Sequence, residues 1–149
     1  MKLKKQLKVK SFRNKWEKLL LNFQLCNTNI NAYIRDCFRE APITYSQYTI
    51  LNIITSAEEP VNQLYIKKRI IEHDSDVSRL IARMIQIGVI SKKPSKLDKR
   101  HAEISITAYG QQQLLEIKEK IHSVDEVFFN LSGKEVKQLN ELLDKVRLS

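Results

Sequence analysis

Basic side chains are concentrated in one stretch of the chain, residues 91–107, SKKPSKLDKRHAEISIT. Branched apolar residues stand at both ends, so the stretch predicts two strands joined by a loop of about eight residues, Pro94 to His101. A hairpin loop ordinarily needs only two to five residues. A long loop rich in lysine and arginine can bind phosphate groups, which makes a polyanion such as nucleic acid the expected partner.

Positive charge is distributed unevenly over the rest of the chain, whose formal net charge is +9 over 149 residues. Residues 1–18 contain eight Lys or Arg and one acid, and residues 67–101 contain ten and four. Residues 111–149 contain six Lys or Arg and seven acids. We therefore expect a polyanion to bind the N-terminal arm and the middle of the chain, and the C-terminal third to serve another role.

Other kinds of chemistry find little support in the sequence. His73, His101 and His122 are scattered, and with two remote cysteines they give no zinc spacing. Three glycines cannot supply a phosphate-binding loop, and no nucleophile motif is present. We expect no enzymatic activity, no metal and no cofactor. No apolar run reaches the roughly 18 residues of a membrane span, so we expect no membrane partner. The two cysteines give no disulfide framework, so we expect a protein of the reducing cytoplasm.

Apolar spacing and capping residues predict four helices, two strands and two further helices, in that order. The first helix covers residues 11–39 and the second follows a capping box at Thr44 to Gln47. The third begins at Asn62 and runs through Ile71. The fourth helix, Asp76 to Ile87, follows a cap at Asp74 or Ser75 and ends at Gly88. Thr107 and a second capping box at Ser132 to Glu135 begin the last two helices.

The fourth helix is predicted to have one apolar and one polar face. Its buried residues would be Val77, Leu80, Ile81, Met84 and Ile85. Three short helices followed by a β-hairpin form a winged helix-turn-helix, in which this helix lies in the major groove of DNA. Taken alone, the same pattern also fits an ordinary amphipathic helix with a solvated polar face.

Three segments resemble the MarR-type (multiple-antibiotic-resistance regulator) transcription regulators. They are ITYSQYTIL at 43–51, SDVSRLIARMIQIGVI at 75–90 and LDKRHAEISITAYG at 97–110. The third is similar to the wing of that family, although Lys99 replaces the first arginine of its usual DRR. The turn IEHDS at 71–75 lacks the glycine often found there. The resemblance implies a homodimer, built from the first and last helices, that binds a pseudo-palindromic operator.

The predicted DNA contacts come from the middle of the chain. On the fourth helix, side chains of several polar residues would reach bases or phosphates, and in the wing the lysines would contact phosphates while Arg100 enters the minor groove. We expect Asp98 to structure the loop; the alternative is a solvated hairpin tip. The full set of DNA-binding candidates is Lys67, Ser75, Asp76, Ser78, Arg79, Arg83, Lys92, Lys93, Lys96, Lys99, Arg100 and His101.

The flanking segments are predicted to form a dimer. We divide the chain into an N-terminal arm and dimerisation helix (1–42), a winged helix-turn-helix domain (43–110) and C-terminal dimerisation helices (111–149). The fold class is therefore mainly α. The alternative is that these helices fold back to complete a monomer core. The predicted interface consists of Trp16, Leu20, Leu114, Ile117, Ile121, Val124, Phe128, Val136, Leu139 and Leu143.

The sequence thus predicts a homodimeric bacterial transcription regulator, more specifically a repressor, whose partner is double-stranded DNA. The resemblance to the MarR-type regulators also implies that a small-molecule effector, bound between arm and winged helix, would release the DNA. QLC, with Cys26, and ITYSQY, with Tyr45, are similar to the hydroperoxide-sensing branch of the family, but the favoured interpretation of Cys26 and Cys37 is a pair of buried apolar residues. The alternative function is a winged helix for protein contact or sequence-independent nucleic-acid coating, which the lysine-rich N-terminus favours.

Overall fold

The computed structural model describes residues 3–71, 76–95 and 102–148. These residues form a mainly helical fold with one β-hairpin, and a 3-10 turn at Glu126–Phe128 precedes the last helix. The predicted fold class is confirmed. In chain order the elements are α1 (Leu3–Leu7), α2 (Lys15–Cys37), α3 (Tyr45–Thr55), α4 (Gln63–Lys67), α5 (Val77–Gln86), β1 (Ile90–Pro94), β2 (Ala102–Ile106), α6 (Ala108–Asp125) and α7 (Gly133–Arg147).

The chain divides into two compact units. We call residues 37–122 the central unit, and residues 1–36 with 123–149 the terminal unit. Of the sixteen buried apolar residues in the described part of the chain, fifteen belong to the central unit. The remaining one, Leu3, lies in α1. The core is therefore built around α3, α4, α5 and the hairpin.

Helix α3 supplies the centre of this core. Its start is fixed by the predicted capping box, in which the Gln47 amide N–H donates to Thr44 Oγ1 at 3.3 Å and the Thr44 N–H donates to Gln47 Oε1 at 2.9 Å. Ile50 and Leu51 have no exposed surface, and Ile54 is also buried. Asn62 begins α4 as predicted, by accepting from the Tyr65 N–H at 2.8 Å.

Helix α5 is held at both ends. Its N-cap is Asp76, whose Oδ1 accepts from the Arg79 N–H at 3.2 Å. At the other end, Gly88 adopts a φ of +79° that favours glycine. The Gly88 and Val89 N–H groups then donate to the Ile85 and Met84 carbonyls, which is a Schellman ending.

The hairpin is antiparallel, with Ile90 opposite Ile106 and Lys93 opposite Glu103. A feature that the sequence did not indicate is a bridge on the other side of β2, between Val61 and Ile104. The Ile104 N–H donates to the Val61 carbonyl at 2.7 Å, and the reverse bond is 3.2 Å. The strand β2 is thus paired on both sides at Ile104.

Several predicted boundaries were wrong. Helix α2 begins at Lys15 rather than residue 11, and a separate helix, α1, precedes it. Helix α4 ends at Lys67, before the predicted Ile71, and α5 begins one residue after the predicted Asp76. Asp76 replaces Asp74 and Ser75 as the cap because its carboxylate has the N-cap to N3 spacing. Gly88 follows the C-cap, Ile87.

Two predicted interface residues lie in the core instead. Leu114 and Ile117 of α6 are 4% and 3% exposed in the single chain, and both belong to the same apolar cluster as α3 and α5. Because they are already buried, they have almost no surface left to contribute to a dimer. On α5, Ile85 was predicted to be buried but is 38% exposed, and Leu80 is half-buried.

Candidate nucleic-acid interface

The outer face of α5 is the first part of the candidate interface. Val77, Ile81 and Met84 are buried against the core. Side chains on the opposite face are exposed: Asp76, Ser78, Arg79 and Arg83. Such a helix can place polar groups against DNA because its apolar face fixes which side chains point outward.

Two of the α5 side chains are held by neighbours. Asp76 Oδ2 lies 3.1 Å from Arg79 Nε, an ion pair between partly exposed groups. Gln63 Nε2, at the start of α4, donates to Ser78 Oγ at 2.6 Å. The first turn of α5 is therefore ordered by hydrogen bonds before any ligand arrives.

Basic side chains border α5 on neighbouring elements. Lys67 is exposed at the end of α4. Lys92 and Lys93 are exposed on β1, and the first of them stands opposite the buried Ile104. Arg69, by contrast, stacks on the Tyr65 ring at 3.4 Å between guanidinium carbon and ring centroid. The exposed lysines are suited to bind phosphates, since an ammonium is a point charge with three donors.

Some predicted site residues lie outside the described residues. These are Ser75 before α5 and the tip of the wing: Lys96, Asp98, Lys99, Arg100 and His101. The roles assigned to them therefore remain predictions.

The two cysteines differ in exposure. Cys26 on α2 is exposed, so the expectation that it is a buried apolar residue is wrong for the single chain. None of the 23 residues of α2 is buried in the single chain, so Cys26 shares its lack of burial with the whole helix. Cys37 is half-buried, and its Sγ lies 3.8 Å from the Lys120 carbonyl oxygen. Tyr45 packs its ring edge-on against Phe38, with centroids 5.6 Å apart, in the central unit.

The remaining predicted interface residues line helices with much exposed apolar surface. Trp16 is 65% and Leu20 is 57% exposed on α2. Phe128, Val136 and Leu139 are about two-fifths exposed. Ile121, Val124 and Leu143 are half-buried. Apolar surface of this extent on helices is a feature of interfaces.

Among the described residues, no helix is both long and apolar enough to cross a membrane.

Comparison with known proteins agrees with this geometry. A family model for a winged helix DNA-binding domain matches residues 43–110. The chain is similar in fold to a mutant MarR from E. coli complexed with operator DNA, with a TM-score of 0.76 at 22% identity, covering 91% of this chain and 98% of that one. It is also similar to BpsR from Bordetella bronchiseptica, with a TM-score of 0.80 at 14% identity, covering 93% and 99%.

A closer sequence relative is the HTH-type transcriptional regulator MgrA of Staphylococcus aureus. The two are 32% identical over 136 residues, covering 85% of this chain and 89% of the relative. The chain belongs to the MarR family of transcription regulators. Membership of the MarR family confirms the resemblance seen in the three sequence segments.

One residue of this MarR-family chain was missed by sequence reasoning. Gln63 holds the Ser78 hydroxyl, yet the two are fifteen positions apart and on different helices. A contact of this kind depends on how α4 and α5 cross, which no local pattern encodes. The only signal in the sequence was that Gln63 is a polar residue directly after the α4 cap, Asn62.

Proposed function

We propose that the chain forms a homodimer that binds a pseudo-palindromic operator in duplex DNA and represses transcription by occupying it. The observation that carries the proposal is the two-sided construction of α5. This helix buries Val77 and Met84 while Ser78, Arg79 and Arg83 are exposed. A recognition helix needs this arrangement, because one face packs on its domain and the other reaches base edges in the major groove.

The contacts divide into two kinds. Lys67, Lys92 and Lys93 would bind phosphates, which sets register but carries no sequence information. Ser78, Arg79 and Arg83 would read bases, and Arg79 has the donors to pair with a guanine. In the wing, Lys96 and Lys99 would add phosphate contacts, His101 would lie beside them and Arg100 would enter the minor groove, with Asp98 fixing the loop.

Dimerisation would rest on the terminal helices, with residues 1–42 and 111–149 as the dimer module around the DNA-binding domain 43–110. Exposed apolar side chains on α2 and α7, such as Trp16, Leu20 and Leu139, support this assignment. A second copy would cover them. A two-fold dimer would set two α5 helices roughly 34–36 Å apart, one turn of DNA.

A small ligand would release the operator by shifting the dimer towards a spacing that does not fit DNA. Regulation of DNA binding by 6-hydroxynicotinic acid, described for the Bordetella relative, supports this kind of control. An oxidant is the second candidate signal, because Cys26 is exposed, as a sensing thiol must be. If Cys26→Ser leaves peroxide-induced DNA release intact, with Cys37→Ser as the matched control, Cys26 is not the sensor. If peroxide releases no DNA from the wild type, the oxidant is excluded.

A sequence-independent coating protein is the alternative function. The exposed lysines of the N-terminal arm, Lys4, Lys5, Lys8 and Lys10, favour it, because phosphate neutralisation alone gives non-specific binding.

Selection of bound sequences from random duplex DNA, at fixed physiological salt, tests the proposal. We expect a palindromic site bound about 10³-fold or more tightly than random duplex. A ratio near one would contradict a regulator and support coating. Affinity should fall by about 0.9 log unit per log unit of salt for each phosphate neutralised.

A further inference from the structure

The N-cap of α5, Asp76, is an acid at the edge of a surface that is proposed to bind the negatively charged DNA backbone. Asp76 is exposed beside Ser78 and Arg79, in a chain whose net charge is +9. Capping the helix explains part of its presence, because Oδ1 accepts the Arg79 N–H at 3.2 Å. Capping alone does not require an acid, since serine and asparagine cap as well as aspartate does.

The second carboxylate oxygen makes a further bond to the same residue. Asp76 Oδ2 lies 3.1 Å from Arg79 Nε. One carboxylate therefore binds both the main chain and the side chain of Arg79. An ion pair this exposed, with side chains 53% and 89% accessible, adds little to folding stability. Its effect is on the direction in which Arg79 points.

Fixing Nε determines which donors of Arg79 remain for DNA. A guanidinium has five N–H groups, of which one is on Nε and four are on the two Nη atoms. With Nε bonded to Asp76, the Nη pair forms the outward end of a planar fork. Two parallel donors match N7 and O6 of guanine in the major groove, whereas adenine offers an acceptor and a donor there.

We propose that Asp76 is a specificity-determining residue of the DNA contact, holding Arg79 end-on so that it selects guanine at one position of each half-site. The inference rests on the proposed function and adds to it the Asp76–Arg79 pair and the base, guanine, that this pair selects. Asp76 reduces the rotamer freedom that a long, flexible arginine would otherwise lose on binding. It also favours the orientation that distinguishes guanine from adenine.

Three variants separate this role from charge and from capping. Arg79→Ala identifies the position, because guanine preference should disappear at one base pair of each half-site. Asp76→Asn keeps a capping oxygen but removes the charge and the second carboxylate oxygen. Glu58→Gln is the matched control, since it removes one exposed negative charge from the central unit, in the connection between α3 and α4.

The measurement is the affinity ratio between the selected duplex and the same duplex with adenine, or with 7-deazaguanine, at that position. Wild type should prefer guanine by about 10-fold or more. Asp76→Asn should reduce that ratio by about 3- to 10-fold at this position alone, with an unfolding midpoint within a few degrees of wild type. Glu58→Gln should leave the ratio unchanged.

The outcomes are distinct. If Asp76→Asn tightens binding to every duplex equally and leaves the guanine ratio intact, Asp76 is only a cap and the inference is wrong. It is equally wrong if Arg79→Ala changes no base preference. If wild type itself binds random and selected duplex alike, the proposed regulator fails and the inference falls with it.

Discussion

The central and terminal units use apolar residues in opposite ways. In the described part of the chain, the central unit holds fifteen of the sixteen buried apolar residues. The terminal unit holds thirteen of the nineteen large apolar side chains that are exposed, although it is the smaller of the two. Burial of a leucine-sized side chain stabilises by about 1.5–3 kcal/mol, so most of the hydrophobic stabilisation of the described residues comes from the central unit.

The terminal unit lacks a comparable core of its own. Helix α2 buries none of its 23 residues and α7 buries none of its 15. Helices with exposed apolar faces are stabilised by packing rather than by propensity. The apolar side chains of the central unit are thus largely buried within the chain, whereas many of those in the terminal unit are exposed, and we propose that a second copy covers them.

Charging the apolar faces of the terminal unit should have the largest effect. Leu20→Glu combined with Leu139→Glu should convert a dimer to single chains of 17.5 kDa, because buried charges would face each other across the interface. Loss of the paired half-site should weaken operator binding by about 10²-fold or more. Light scattering and DNA titration measure both.

Leu64→Glu is the matched control, since Leu64 is 58% exposed on α4 of the central unit. It should leave the mass unchanged. A wild-type mass of one chain at micromolar concentration would contradict the proposed dimer.

The next largest difference between the units should come from replacing a glycine by alanine, which we expect to lower the unfolding free energy in the central unit only. Gly110→Ala would overlap the Val89 carbonyl oxygen and the Ile106 side chain, so we expect a loss of about 1–3 kcal/mol in unfolding free energy. Gly133→Ala in the terminal unit meets nothing within 4 Å and should be neutral or slightly stabilising. Urea unfolding compares the two. Equal effects would mean that the α6 start is not tightly packed.

Variants of single charged residues should show which unit makes the sequence-specific contacts with DNA, through their effects on binding affinity. Arg100→Ala should cost about 1–3 kcal/mol of operator binding and relax specificity. Lys5→Ala, in the N-terminal arm, should weaken binding to selected and random duplex equally. Its effect should be smaller than that of Arg100→Ala. Asp98→Ala should also weaken binding, although it removes a negative charge from the loop. If Asp98→Ala tightens binding, the wing is only an electrostatic patch.

The smallest expected effect concerns the two capping boxes, which use different residues for the same bonds. In the terminal unit, hydrogen bonds from the Ser132 side chain and backbone lower the pKa of Glu135. In the central unit, the neutral Gln47 takes the same place. A lowered pKa contributes stability above the ordinary carboxyl pKa, and this stability is lost as pH falls through the folded value.

Unfolding of wild type and Glu135→Gln should therefore differ at neutral pH and converge in acid. Glu135→Gln places at this position the same side chain, glutamine, that Gln47 supplies in the capping box of α3. If the difference in unfolding free energy persists at low pH, the negative charge of Glu135 is not the source of the cap's stabilising effect.

Sequence patterns predicted local features in both units. The capping residues Thr44, Asn62 and Ser132 were identified because each cap is local, completed within three or four residues. Asp74, Ser75 and Asp76 are all good caps, so the sequence alone could not choose among them. The structure decides for Asp76 through one bond to Arg79.

Longer-range features could not be predicted. Leu114 and Ile117 share their spacing with the half-buried Ile121 and Val124, and with the exposed Phe128, so periodicity cannot tell a chain's own core from a partner's surface. The same limit applies to Gln63 and Ser78, and to the pairing of Val61 with Ile104.

That last pairing bears on how the protein avoids association through its strands. A two-stranded hairpin normally offers two free edges to a neighbouring chain. At Ile104 the outer edge of β2 is already occupied by Val61, which donates and accepts a hydrogen bond there. An incoming strand would have to displace Val61 before it could extend the sheet. A residue in the connection between two helices thus protects this edge of the hairpin against edge-to-edge aggregation.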